Sequence, residues 1–358
     1  MPVTEASAAL DDPAHIAALD RGGMLGLIGS LGGQLGAGFQ IAARTAALPS
    51  AEGLRAVVVC GMGGSGIAGD VLRVVAGPML PMPVVVVKGY GLPAFCDHDT
   101  LVFAMSFSGN TEEAVAAYAE AVARECRVVA ASAGGELAAL AEADEVPHIP
   151  LPPEVPLPRA ALGSLAAAPL GVLSAIGLLP EVAEEVRRTE GELSALADRL
   201  GPGAGAASNE AKSVAAWLGE RVPVIWGSEG VAEAAALRWK TQLNENAKVP
   251  ALAGVLPELD HNEIEGWPAG SGERFAVIVL RHPGEHPRIA ARVHATREAL
   301  RESGLTFRDV RADTHRPLPA LFSLMMAGDF VSAYLALLRG VDPSPIPVLS
   351  ALKERLKR

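Results

Sequence analysis

Four short apolar runs without two-residue alternation limit what this chain can fold into. Leu54–Cys60 (LRAVVVC), Pro83–Lys88 (PVVVVK), Leu101–Phe107 (LVFAMSF) and Arg127–Ser132 (RVVAAS) are rich in apolar, often β-branched side chains and offer no polar face. A strand apolar on both sides must be covered on both sides, and such strands separated by helices build a parallel sheet. The pattern restarts later in the chain. Val222–Trp226 reads as a strand, Gly227–Gly230 (GSEG) as a turn, and the stretch through Trp239 as a helix. Further strands are expected at Phe275–Arg281 and Thr306–Ala312, with a helix over Pro287–Glu302 between them. Strand, glycine turn and helix at the head of both halves suggest two similar α/β units.

The 358 residues, half of them apolar and a fifth charged, suffice for two domains with buried cores. Asp11 to Ala47 reads as helical, although its many glycines weaken a helix. The proline-rich Pro147–Arg159 reads as an extended connector, Glu181–Leu200 as a charged amphipathic helix, and Gly201–Gly205 (GPGAG) as a linker. The expected organisation is a helical segment over 1–50, a first α/β domain over 51–200 and a second over 201–358. A net charge of −11 argues against nucleic acid or an anionic membrane as partner. It leaves room for one small phosphate, which backbone N–H groups hold without net positive charge. Cys60, Cys96 and Cys126 are odd in number and widely spaced, so neither a disulfide framework nor a metal site is expected. With no basic-then-apolar leader and no apolar run long enough to span a bilayer, a cytoplasmic chain is expected.

The strongest local signal is Val58–Asp70, VVCGMGGSGIAGD, where a buried strand enters a glycine loop and a helix follows directly. Glycines let a ligand approach the backbone, and the helix start offers unpaired N–H groups and partial positive charge. The glycine spacing overlaps a dinucleotide-binding fingerprint, but the next strand ends in Lys88 where that reading needs an acid. A tight strand-to-helix turn is the plainer reading. The second signal is Ser106–Glu113, SFSGNTEE, again a strand end before a helix start. As a helix start alone it is ordinary, yet Ser106, Ser108 and Thr111 gather three hydroxyls there, which suits a phosphate monoester. Both loops lie at carboxyl ends of parallel strands, where open α/β sheets bind ligands.

GMGGSG followed by SFSGNTEE resembles the phosphosugar-binding signature of sugar isomerase (SIS) domains. Leu243–Pro250 (LNENAKVP), Glu258–Trp267 (ELDHNEIEGW) and Asp342–Leu356 (DPSPIPVLSALKERL) resemble the bifunctional phosphoglucose/phosphomannose isomerase family. The resemblance runs from about residue 50 to the end. It implies two SIS-type domains, each a parallel sheet flanked by helices in a flavodoxin-like three-layer sandwich. It also implies an aldose–ketose isomerase acting on glucose 6-phosphate or mannose 6-phosphate, without metal or cofactor. Gly63, Gly64, Ser65, Ser106, Ser108 and Thr111 would hold the 6-phosphate, and Glu245 would carry the proton between C2 and C1. His261 and Lys353 would assist ring opening, and Arg159 would stabilise the enediolate. The family further implies a homodimer in which His261 reaches the neighbouring subunit's site.

Taken singly, these residues have duller readings. Glu245 lies near Arg238 and Lys248, His261 sits in an acidic stretch, Lys353 is in a charged terminal helix, and Arg159 could pair with any acid. A different class of function, a non-catalytic SIS-type sugar-phosphate sensor, is normally coupled to a basic DNA-binding domain. The first 50 residues carry only Arg21 and Arg44 as cations.

Overall fold

The computed structural model describes residues 8–356. The chain divides into two compact units. One, the glycine-loop unit, comprises Ser30–Ala195 with Arg316–Leu321. The other, the C-terminal unit, comprises residues 8–29, Leu196–His315 and residues 322–356.

The glycine-loop unit is built on five parallel strands in the order β2-β1-β3-β4-β5. They are β1 (Ala56–Cys60), β2 (Val84–Val87), β3 (Thr100–Met105), β4 (Arg127–Ser132) and β5 (His148–Pro150). Every residue of β1 and β3 is buried, as the absence of alternation requires. The strand β5 lies inside the stretch expected to be a connector. Its main chain continues the ladder from β4, with Ala130 opposite His148, so pairing rather than local propensity makes it a strand.

The stretch expected to be helical holds α1 (Pro13–Leu19), α2 (Met24–Gly29) and α3 (Leu31–Ala43). Asp20 and Gly23, the latter at φ +67°, break the first from the second, and the Asp20 carboxylate accepts from the Met24 and Leu25 N–H groups. The glycines of α3 have a packing reason. A Cβ on Gly38 would lie 3.0 Å from Ala167 of α7 (Leu162–Ala175). Reciprocally, one on Gly163 would lie 2.5 Å from the Leu31 carbonyl, and one on Gly171 2.6 Å from Ala42. The two helices pack backbone to backbone, so the lost helix propensity is offset by contact that larger residues would prevent. The unit's remaining helices are α4 (Gly63–Ala76), α5 (Glu112–Ala123) and α6 (Gly135–Ala143). Next comes α8 (Val182–Leu200), inside which the division between units falls.

The C-terminal unit repeats the scheme with four parallel strands in the order β7-β6-β8-β9. These are β6 (Val222–Ser228), β7 (Leu252–Leu256), β8 (Phe275–Arg281) and β9 (Thr306–Arg311). Helices α9 (Glu210–Leu218), α10 (Val231–Asn246) and α11 (Pro287–Ala299) accompany them, followed by α12 (Pro317–Leu338) and α13 (Pro347–Leu356). In both sheets the strand order reverses beside the first strand, leaving a crevice at the carboxyl ends of the first and third. The fold is thus α/β with two parallel sheets flanked by helices, as the sequence led one to expect.

Of the described helices, α12 is long and apolar enough to cross a bilayer, but 83% of its most apolar window is buried inside the protein. It is a core helix. Against it lies α10, through a polar seam within the C-terminal unit. Arg238 donates to the Asp329 carboxylate at 2.6 Å, Trp239 Nε1 to the Leu324 carbonyl at 2.7 Å, and Asn246 Nδ2 to Ser332 Oγ at 2.9 Å. Hydrogen bonds of this kind have fixed angles, so they set the rotation of α10 about its axis as apolar packing alone does not.

Candidate active site

In the glycine-loop unit the phosphate motif lies at the sheet's reversal point, between β1 and β3. A Cβ on Gly61 would lie 2.9 Å from Ser65 Cβ and 3.1 Å from the Met105 carbonyl, so only glycine lets the turn close here. Gly63 follows at φ +52° with open space around its Cβ position, which leaves the start of α4 approachable. The N-cap residue, Met62, supplies no side-chain acceptor. The Met62 carbonyl accepts from the Ser65 N–H at 3.0 Å and the Gly66 N–H at 3.3 Å, so the donors this helix start can offer an anion are those of Gly63 and Gly64.

The second loop is ordered by its own hydroxyls. Ser106 Oγ donates to Thr111 Oγ1 at 2.8 Å and accepts from the N–H groups of Gly109 at 3.1 Å and Thr111 at 3.3 Å. Ser108 is exposed, and its Oγ accepts from the Asn110 N–H at 3.2 Å. The N-cap of α5, Thr111, makes no side-chain capping bond, although Ser106 Oγ takes its N–H and its carbonyl takes the Ala114 N–H at 3.0 Å. Gly109 is the hinge of the arrangement, at φ +72° with its would-be Cβ overlapping the Gly134 carbonyl. Gly109→Ala is expected to destabilise the protein by about 2–4 kcal/mol, from backbone strain plus forced repacking. Thermal unfolding would show this.

Arg159 belongs to the same neighbourhood. It lies in a short 3₁₀ turn, Pro158–Ala160, and is buried. The Pro158 carbonyl would lie 3.1 Å from a Cβ on Gly64, so the arginine's turn rests on the glycine loop. The proline-rich segment therefore ends against the phosphate motif. The lysine that ends the second strand has a partner the sequence did not reveal. Lys88 reaches back from the end of β2 to the buried Asp70 of α4 at 2.5 Å, its stem 3.1 Å from the Cβ position of Gly66. Asp70 closes the glycine motif in sequence, and an acid spaced from a strand-end lysine was the available signal.

The remaining candidates lie in the C-terminal unit. Glu245, half-buried on the last turn of α10, lines a cleft of about 760 Å³ together with Lys240, Thr241, Lys248 and the Ile346–Leu349 start of α13. This cleft, open to solvent on one side, pairs a carboxylate with mostly apolar walls, a setting in which a single base can act on a bound ligand. Lys353 is on α13 but exposed, outside the residues lining the cleft. His261 is exposed at the end of a 3₁₀ turn, Glu258–His261, and also outside that lining. Its neighbour Asp260 anchors the turn to α11, accepting from Thr296 Oγ1 at 2.7 Å and Arg292 at 3.2 Å. Among the described residues no group of three or more His, Cys, Asp or Glu could hold a metal ion. Burial pushes the Cys60 thiol up to about 12, leaving it an apolar core group.

Comparison with known proteins narrows what this geometry serves. The model of the bacterial phospho-glucose isomerase C-terminal SIS domain matches residues 207–356. A bifunctional phosphoglucose/phosphomannose isomerase of Caldicellulosiruptor bescii is 37% identical over 308 residues, which cover 86% of this chain and 91% of the relative. One from Aquifex aeolicus is 31% identical over 306 residues, covering 85% and 91%. Among solved structures, the C-terminal domain of glucosamine-fructose-6-phosphate aminotransferase from Francisella tularensis superposes with a TM-score of 0.67 at 14% identity. That match covers 90% of this chain and 98% of the other, and it speaks for the SIS fold alone. With 37% of 308 aligned residues identical, along 91% of one relative's length, the chain belongs to the bifunctional phosphoglucose/phosphomannose isomerase family.

Proposed function

We propose that the protein is a cytoplasmic aldose–ketose isomerase converting glucose 6-phosphate and mannose 6-phosphate to fructose 6-phosphate and back, through a cis-enediolate. The observation that carries this reading is the 37% identity to a bifunctional isomerase over 91% of that relative's length. The local chemistry agrees with it. Gly63, Gly64 and Ser65, with Ser106, Ser108 and Thr111, hold the 6-phosphate on two helix starts. Glu245 takes the proton from C2 of the open-chain aldose and returns it to C1, while another proton passes from the C2 hydroxyl to the C1 oxygen. Arg159 faces the negative charge of the enediolate, a kind of contact worth about 3 kcal/mol in the transition state. His261 and Lys353 move the protons of ring opening. Because His261 and Lys353 stand outside the Glu245 cleft in their own unit, we assign His261 to the site of a second subunit in a homodimer.

The test is isomerisation in D₂O. Either aldose 6-phosphate should yield fructose 6-phosphate, seen by NMR, and fructose 6-phosphate run backwards should yield both epimers deuterated at C2. Transfer without any deuterium uptake would argue for hydride movement and against the proton shuttle. Binding of sugar phosphate with no turnover of either aldose would mark a non-catalytic sensor instead.

A further inference from the structure

The motif around Glu245 contains a lysine that the isomerisation scheme leaves unused. Lys248 holds its backbone at φ +58°, a left-handed conformation that side chains other than glycine and asparagine rarely take. Its ammonium curls back over the end of α10 and donates to the carbonyls of Glu245 at 2.5 Å and Asn246 at 3.2 Å. It also donates to the Pro343 carbonyl at 3.1 Å. Pro343 belongs to the Asp342–Ser344 turn, which a hydrogen bond from the Ser344 N–H to Asp342 Oδ1 holds at 2.9 Å. That turn leads directly into Ile346–Leu349, the wall of the cleft facing Glu245.

A lysine near a helix C-terminus is commonplace as a cap, because a cation suits the carbonyl end of the helix dipole. A cap, however, needs only the helix's own carbonyls. Here one ammonium ties the carbonyl of the carboxylate-bearing residue to the opposite wall, and a strained backbone aims it there. We propose that Lys248 is a positioning residue for the isomerisation: it sets the separation between the Glu245 turn and the segment entering α13. This rests on the assignment of Glu245 as the base. The lysine need not touch substrate. Its effect is on where the carboxylate stands relative to the carbons it serves, and an ångström of misplacement costs about a hundredfold in rate.

The test uses Lys248→Gly and Lys248→Asn in the full-length protein. Both residues suit a left-handed backbone, so neither should be destabilised by strain, and neither can reach Pro343. With fructose 6-phosphate as substrate, kcat is expected to fall by about ten- to a hundredfold in both. KM should stay within about threefold, and the thermal unfolding midpoint should be unchanged or raised. Turnover within twofold of the parent in both variants overturns the inference. So does a raised KM with intact kcat, or a loss of rate that comes with a lowered midpoint in both, the mark of a plain helix cap. Glu245→Gln measured alongside separates the two ideas. If it keeps full turnover, the base assignment falls and takes this inference with it. If it is inactive while the Lys248 variants are active, only the role of Lys248 falls.

Discussion

Replacing Glu245 by glutamine is expected to lower kcat for both aldose 6-phosphates by about 10²–10⁴-fold, the usual worth of a positioned general base. Glutamine keeps the side chain's size and its place on the last turn of α10, so the cleft with Lys240, Thr241 and Ile346–Leu349 should keep its shape. What it loses is the ability to accept a proton from carbon. The residues proposed to hold the phosphate lie elsewhere in sequence, at the loops after β1 and β3. Binding of fructose 6-phosphate, measured by calorimetry, should therefore stay within a few-fold of the parent. A coupled assay reads the turnover. Glutamine turnover within tenfold of the parent would remove Glu245 from the chemistry, and equal losses of binding and rate would point to a collapsed cleft.

Asp329→Ala carries the largest expected effect on stability, a loss of about 3–5 kcal/mol. Arg238 and Asp329 are a buried pair whose side chains keep only 2% and 3% of their surface exposed. Truncating the acid leaves a guanidinium in the interior without its carboxylate, and desolvation of that charge dominates the cost. Urea unfolding should show a lower midpoint. Removing both charges at once, as Arg238→Met with Asp329→Leu, should recover much of the loss, because the pair itself is close to neutral against apolar packing. If the single variant unfolds like the parent, the seam between α10 and α12 does not orient the Glu245 helix as described.

Reading the chain by itself goes furthest where the determining interactions are local. β4 and β8 fall on the residues expected, Arg127–Ser132 and Phe275–Arg281, because a strand buried on both faces is written as continuous apolar residues. The glycine loop is equally legible, since a close turn before a helix admits few other residues than Gly61 and Gly63. The match of LNENAKVP and ELDHNEIEGW to one isomerase family is likewise visible in the letters alone.

Other features depend on partners distant in the chain. β7 went unforeseen because Leu252–Leu256 has weak strand propensity and becomes a strand only by pairing with β6, Val224 opposite Leu252. The α3 glycines looked like helix breakers until α7 supplied a backbone to lie against. In the sequence Lys248 is only a neighbour of Glu245, and folding alone brings Pro343 within reach of its ammonium. Propensity and periodicity act over a few residues, so sequence determined the continuous apolar strands, the glycine loop and the family resemblance. Pairing, close approach and long side-chain reach act across the fold, so tertiary structure alone decided which helices touch and how the carboxylate cleft is held open.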